Sequence, residues 1–130
     1  MTILVGYVPS PPGEAALRAA IEQARLRDEG VLVLNTSRGD AYVDPRLAGE
    51  PDLDRVVREL VAAGVPHEVR QLVRGRDAAE EIVELATTTD VSMVVIGVRH
   101  RTPVGKLIMG STAQEILLRA PCPVLAVKAD

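Results

Sequence analysis

Residues 3–34 read ILVGYVPSPPGEAALRAAIEQARLRDEGVLVL, and this stretch decides the fold. Ile3 to Val8 is a short apolar run with β-branched residues, bounded by prolines, which predicts a buried strand. Gly13 to Glu29 predicts a helix, because Ala16, Leu17, Ala20, Ile21 and Ala24 fall on one face. Glu14, Arg18 and Glu22 lie opposite and alternate in sign at i,i+4 spacing, which adds a little helix support. Gly30 ends that helix, and Val31 to Leu34 predicts a second buried strand.

The same alternation continues. Asn35 to Pro51 is polar and broken by Gly39, Pro45 and Gly49; a loop near this length is uncommon unless it covers a site or moves. Asp52 to Ala63 predicts a helix stopped by Gly64 and Pro66, and His67 to Val73 a third strand. Asp77 to Thr88 predicts a third helix, with Asp77 as N-cap and Ala78, Ile82, Leu85 and Ala86 as its apolar face. Met93 to Gly97 predicts a fourth strand, Ser111 to Arg119 a fourth helix and Pro123 to Lys128 a fifth strand. All-apolar strands alternating with helices imply an α/β fold: a parallel sheet of five strands covered on both faces. No linker splits the chain, so residues 1–130 are expected to form one domain.

Composition narrows the function. Hydrophobic residues make up 47% and charged residues 25%, which excludes disorder, collagen and a disulfide scaffold. Aromatics are 2%, Tyr7 and Tyr42 alone, so the core must be aliphatic. That shortage argues against single-strand nucleic-acid binding by base stacking and against a flavin held between rings. The net charge of −3 supplies no field toward nucleic acid or an anionic membrane, so neither partner is expected. Cys122 is the lone cysteine, which suits a reducing compartment. The N-terminal Met1-Thr2-Ile3-Leu4-Val5 has no basic leader, and its apolar run is too short to span a membrane; a cytoplasmic location is the expectation.

The two strands that could form the sheet edges differ. The third carries His67, Glu68, Arg70 and Gln71, as a solvated edge should. The fifth, Val124-Leu125-Ala126-Val127, has no internal charge. An edge of that kind needs cover, most simply its twin in a second subunit, so a homodimer through Val124–Val127 is expected.

In open α/β sheets ligands bind beyond the carboxyl ends of strands, where the winding reverses. After the fourth strand the chain places Arg99, His100, Arg101 and Lys106 close together and then opens a helix at Gly110-Ser111. Unpaired amides and the positive dipole end of a helix hold phosphate, and glycine permits close approach. Against this, Ser111-x-x-Gln114 also fits a capping box, which would explain Ser111 without a ligand. The stretch is no Walker A loop, since Leu107 follows Gly105-Lys106, and no Gly-x-Gly-x-x-Gly follows the first strand.

The chain resembles the universal stress protein family over nearly its whole length. The likeness includes Ile3-Leu4-Val5 followed by Glu14-Ala15-Ala16-Leu17, Gly75-x-x-Ala78-x-x-x-Ile82, and Asp90-Val91-x-x-Val94-Val95-Ile96-Gly97. Gly110-Ser111-Thr112 and Ala120-Pro121-Cys122-Pro123-Val124-Leu125-Ala126-Val127 complete it. The resemblance implies a Rossmann-like sheet of order 3-2-1-4-5 and dimers joined through the fifth strand. It also implies ATP, with or without Mg²⁺, held by Gly-x2-Gly-x9-Gly-(Ser/Thr). Gly97, Gly110 and Ser111 match that motif with spacing kept, while His100 replaces the second glycine. The family's aspartate at the end of strand one is Val8 here. Gly6, Tyr7, Val8 and Thr36 take the adenosine-facing positions, with Tyr7 able to pack on the base or to serve as core rim. Gly97, Arg99, His100, Gly110, Ser111 and Thr112 take the phosphate end. Two outcomes stand open: Arg99, His100 and Lys106 support nucleotide binding, or His100 fills the phosphate space and the chain is a dimeric scaffold acting through protein contacts.

Catalysis finds little in the residues. Ser10 lacks a nucleophile elbow, and Cys122 between two prolines reads as a structural thiol. His67 and His100 have no metal-ligand spacing to cysteines or carboxylates. Glu81 and Glu84 read as solvent-facing. The expectation is a stress-related adenine-nucleotide-binding module and not an enzyme, with slow ATP hydrolysis a lesser alternative.

Overall fold

In this computed structural model residues 1–37, 39, 45–98 and 110–129 are described. Their elements run β1 (Thr2–Gly6), α1 (Pro11–Arg27), β2 (Gly30–Ser37), α2 (Glu50–Ala63), β3 (His67–Val73), α3 (Ala78–Thr88), β4 (Val91–Val98), α4 (Ser111–Arg119) and β5 (Val124–Lys128). The strands form one parallel sheet in the order β3-β2-β1-β4-β5. The charged third strand and the fifth, charged only at its last residue Lys128, are therefore its two edges.

Side chains of successive strand residues point to opposite faces, and each face has its own helices. Ile3 and Val5 of β1, with Val31, Val33, Met93 and Val95, pack against Ala16, Leu17, Ala20 and Ala24 of α1 and Val56 and Leu60 of α2. Leu4, with Leu32, Leu34, Val94 and Ile96, packs against Ala79, Ile82, Leu85 and Ala86 of α3 and Ala113 and Ile116 of α4. Ile3, Leu4 and Val5 are fully buried, and each such side chain contributes about 1.5–3 kcal/mol by leaving water. The winding of the parallel sheet reverses between β1 and β4, since α1 leads from β1 outward to β2 whereas α3 carries the chain from β3 back past β1 to β4.

Several boundaries move from their sequence-based positions. β1 stops at Gly6, and Tyr7 already leaves the ladder, though its amide still donates to the Leu34 carbonyl at 2.9 Å. α1 starts at Pro11, because proline's fixed φ suits the first helical position and Ser10 Oγ accepts from the Gly13 amide at 3.2 Å. β2 runs through the polar Asn35, Thr36 and Ser37, expected to be loop, because β3 offers Gln71, Leu72 and Val73 as parallel partners. α2 opens at Glu50 after Gly49. Asp77 caps α3 as expected: its carboxylate accepts from the Glu80 amide at 2.9 Å.

Two glycines set how α1 meets the sheet. A Cβ at Gly13 would lie 1.7 Å from the Val8 carbonyl oxygen, and one at Gly97 would lie 2.3 Å from the Pro12 carbonyl oxygen. Both obstacles are backbone, so neither can swing aside. The start of α1 therefore rests on the carboxyl ends of β1 and β4 with room for hydrogen alone.

We expect Gly97→Ala to destabilise the protein by about 3 kcal/mol in urea unfolding, near the upper end for overpacking. Gly13→Ala should cost at least as much. A loss at Gly97 under about 1 kcal/mol would contradict the backbone contact.

Candidate functional site

The reversal crevice lies beyond Gly6 of β1 and its paired neighbour Ile96 of β4. On the α1 side it is closed by the contacts of Gly13 with Val8 and of Pro12 with Gly97. On the opposite side Ile82 of α3 packs over Gly6, where a Cβ would meet its Cδ1 at 2.8 Å. Val98 is buried there, Val8 is half-buried, and Thr36 retains 9% exposure. Helices α3 and α4 pack on this opposite face of the sheet.

α4 begins beside this face with Gly110 as its N-cap (φ −66°, ψ 159°), and among the described residues no side chain caps its first turn. The capping box expected from Ser111 and Gln114 does not form. Ser111 is already the first helical residue, and the Gln114 amide bonds the Gly110 carbonyl at 3.0 Å. Ser111 is exposed and Thr112 half-buried. Among the described residues nothing lies within 4 Å of a Cβ built on Gly110. Arg99, His100, Arg101 and Lys106 lie outside the described residues.

Tyr7 does not offer its ring to a base. It is 1% exposed and belongs to the core between the sheet and helices α1 and α2. Its hydroxyl donates to Glu14 Oε2 and accepts from Arg55 Nη2 at 3.0 Å, and Arg55 also donates to Glu14. Burial first, and then the Glu14 hydrogen bond, raise the phenol well above its ordinary pKa. Tyr7 is core rim with a satisfied hydroxyl.

One organising residue escaped the sequence reading. Asn35 is fully buried, and its amide nitrogen donates to the carbonyls of Tyr7 at 2.9 Å and Arg46 at 2.8 Å. Its oxygen accepts from the Ala48 amide and from Gln71 Nε2, each at 2.9 Å. Gln71, its register partner on β3, also donates to the Ala48 carbonyl at 2.9 Å. Together they tie the end of β1, residues 46–48 and β3 into one unit. A glutamine on the predicted third strand and an asparagine just after the predicted second were the available signal, but periodicity alone does not show that they are partners.

The second correction concerns Glu81, expected in solvent. It is 1% exposed and held by both ends of the Arg74 guanidinium, Nε to Oε2 and Nη2 to Oε1, each at 2.8 Å. Arg76 adds a contact to Glu81 at 3.3 Å and pairs with Glu84. Gly75 between the arginines has φ +79°, the left-handed region that favours glycine, and this turns both arginines onto α3. The Arg74 hydrogen bonds, helped by the charges of Arg74 and Arg76, hold the Glu81 carboxyl below the usual carboxylate range despite burial.

Two grooves among the described residues lie elsewhere. One, of about 320 Å³, sits at the amino ends of the strands near Thr2, His67 and Asp90. The other, of about 500 Å³, lies between α1 and α2 and mixes the carboxylates Glu14, Asp52 and Glu59 with the guanidinium groups of Arg18 and Arg55. Among the described residues no group of three metal-ligating side chains occurs, and no helix is long and apolar enough to cross a membrane. Cys122 is half-buried, and burial raises its thiol pKa, which lowers its reactivity.

The model of the universal stress protein family matches residues 1–128. The chain belongs to the universal stress protein family. A universal stress protein of Mycolicibacterium smegmatis is 51% identical to it over 126 residues, covering 97% of this chain and 96% of that protein. The solved universal stress protein of Archaeoglobus fulgidus superposes with a TM-score of 0.84 at 35% identity, covering 98% of both chains. A structure of the universal stress protein from Archaeoglobus fulgidus in complex with dAMP gives a TM-score of 0.73 at 30% identity, again over 98% of both chains.

Within this universal stress protein fold the Glu81 cluster makes a stability signature. A carboxyl whose folded pKa lies below its unfolded value contributes stability above the unfolded pKa and loses it as pH falls through the folded one. Glu81→Gln should therefore cost about 2 kcal/mol at pH 7, the range of charge-assisted hydrogen bonds. The gap to the wild type should narrow as pH falls below the ordinary glutamate pKa of about 4.3. Urea unfolding at pH 7 and pH 3 checks this; a gap independent of pH would contradict it.

Proposed function

We propose that this universal stress protein binds an adenine nucleotide, ATP in the cell, at the first turn of α4, and works as a cytoplasmic homodimer. The observation that carries this is the opening of α4. Its N-cap is an exposed glycine without a side-chain bond, so amides and dipole face outward where an anion gains from both. The sequence sets Arg99, His100, Arg101 and Lys106 just ahead of that turn in an otherwise acidic chain. The crevice's apolar side, with Val8 and Thr36, suits a base. A relative 30% identical was solved with dAMP. Mg²⁺ accompanies the triphosphate through its own oxygens.

Binding rather than turnover is the proposed activity. His67 sits at the far end of the sheet, its Nδ1 3.0 Å from the Val65 carbonyl oxygen. Glu14 and Glu81 are engaged by arginines. The dimer reading rests on β5, an edge strand with the run Val-Leu-Ala-Val whose ladder, among the described residues, is to β4 alone. One observation favours the competing scaffold reading: Gly97 is required by Pro12, so it would persist without any ligand.

Calorimetry with ATP and AMP separates the two readings. A saturable one-to-one isotherm supports the nucleotide reading, and its absence supports the scaffold. Gly110→Val should weaken binding at least about tenfold, as expected when a phosphate's backbone approach is blocked. Thermal stability should stay within about 1 kcal/mol, because φ at Gly110 suits any residue. Unchanged affinity would move the site elsewhere. Sedimentation at micromolar concentration should show a dimer, and a pure monomer would overturn the pairing through β5.

A further inference from the structure

Among the described residues the edge strand β3 is laddered to β2 alone. Its register from Val31↔His67 to Ser37↔Val73, with the Val31 amide bonded to the Pro66 carbonyl, turns the backbone groups of Glu68, Arg70 and Leu72 toward β2. Those of His67, Val69, Gln71 and Val73 point outward. Side chains alternate with the same period. Val69 packs with the core on the α1/α2 face and Leu72 with the core on the α3/α4 face, so Glu68 and Arg70 stand on the latter.

An apolar rim runs beside this edge. α2 turns Asp52, Arg55 and Glu59 toward α1, and Val56 and Leu60 toward the sheet. The helical period then sets Val57 and Val61 on the margin away from α1, on the β3 side. They are 37% and 63% exposed, and Val73 on β3 is 50% exposed.

We propose that β3 pairs antiparallel with β3 of a second copy of this chain, about a two-fold axis at Val69, as an interface separate from the β5 edge. Charge selects the register. With the axis at Val69, the outward backbone groups of His67, Val69 and Gln71 meet those of the second copy's Gln71, Val69 and His67. Glu68 then faces the second copy's Arg70, and Arg70 its Glu68, as close cross-strand pairs on one face. Moving the axis to Arg70 keeps the backbone pairing but opposes two guanidinium groups and sets each Glu68 against a leucine. Within one chain Glu68 and Arg70 already pair, and their side chains are 56% and 40% exposed. Association therefore closes a square of alternating charge. The same two-fold axis brings the outer margins of the two α2 helices toward each other and covers Val57 and Val61. Charges on an edge deter a chance strand; here they are matched by the chain's own sequence.

The proposal rests on neither the nucleotide reading nor the β5 pairing, and β5 is the same in every variant named here. Sedimentation equilibrium of the full chain over a concentration series compares the wild type with Glu68→Arg and Arg70→Glu. Each variant sets like charges against each other in its own pair and should weaken the β3 step at least about tenfold. An equimolar mixture of the two variants restores opposite charges and should regain the wild-type association. An exposed ion pair adds little to folding, so both variants should keep the wild-type thermal midpoint. A wild-type chain that stays monomeric, or an assembly that neither variant weakens, overturns the proposal. A loss that the mixture does not repair overturns the Val69 register. Val61→Glu on the exposed rim keeps the test decisive if a charge variant does not fold: it should weaken the same step, and unchanged association would overturn the seam between the helices.

Discussion

The start of α1 rests on bare backbone, and the rest of the site follows from that contact. Gly13 meets the Val8 carbonyl and Gly97 meets the Pro12 carbonyl, each at a distance no side chain would allow. The carboxyl ends of β1 and β4 are therefore shut from one face. Tyr7, Glu14 and Arg55 lie on that shut face and hold α1 and α2 together. On the α3/α4 face, among the described residues, the first turn of α4 has a glycine N-cap and no side-chain cap bond.

Charge is handled in a complementary way on that face. The turn at Gly75 folds Arg74 and Arg76 back onto Glu81 and Glu84, so two cations that could have met an anion are already paired. A buried carboxylate gripped by both ends of a guanidinium fixes geometry more than it adds net stability. Positive charge for a phosphate must then come from the helix dipole and from the basic residues that precede Gly110 in sequence. Asn35 and Gln71 complete the frame by bonding the carbonyls of Tyr7, Arg46 and Ala48.

Much of this was legible in the residues. All-aliphatic strands alternating with amphipathic helices specify a covered parallel sheet, and the charges of His67, Glu68 and Arg70 marked one edge. The resemblance carried by Gly110-Ser111-Thr112 and Ala120–Val127 pointed to the family and to the strand order. Side-chain commitments were not legible, because they depend on distances across the fold. Tyr7 could be read as a stacking ring or as core rim, and Arg55, 48 residues later in sequence, holds its hydroxyl in the rim role. Glu81 looked solvated because its partners lie in a loop whose direction is set by one positive φ. Gly97 was read as room for phosphate, yet Pro12 explains it. Asn35 to Ser37 looked like loop because polarity does not reveal the partner strand that pairs with them.

The central claim is that nucleotide enters on the α3/α4 face and engages the opening of α4, the α1 face being closed. Amide chemical-shift mapping of the full chain during titration with AMP tests it most directly. The account predicts saturating shifts at Gly110, Ser111 and Thr112, with smaller ones at Val8 and Thr36, and none at Ser10, Glu14 or Arg55. Shifts confined to the α1 and α2 residues, with Gly110 to Thr112 unmoved, would contradict it.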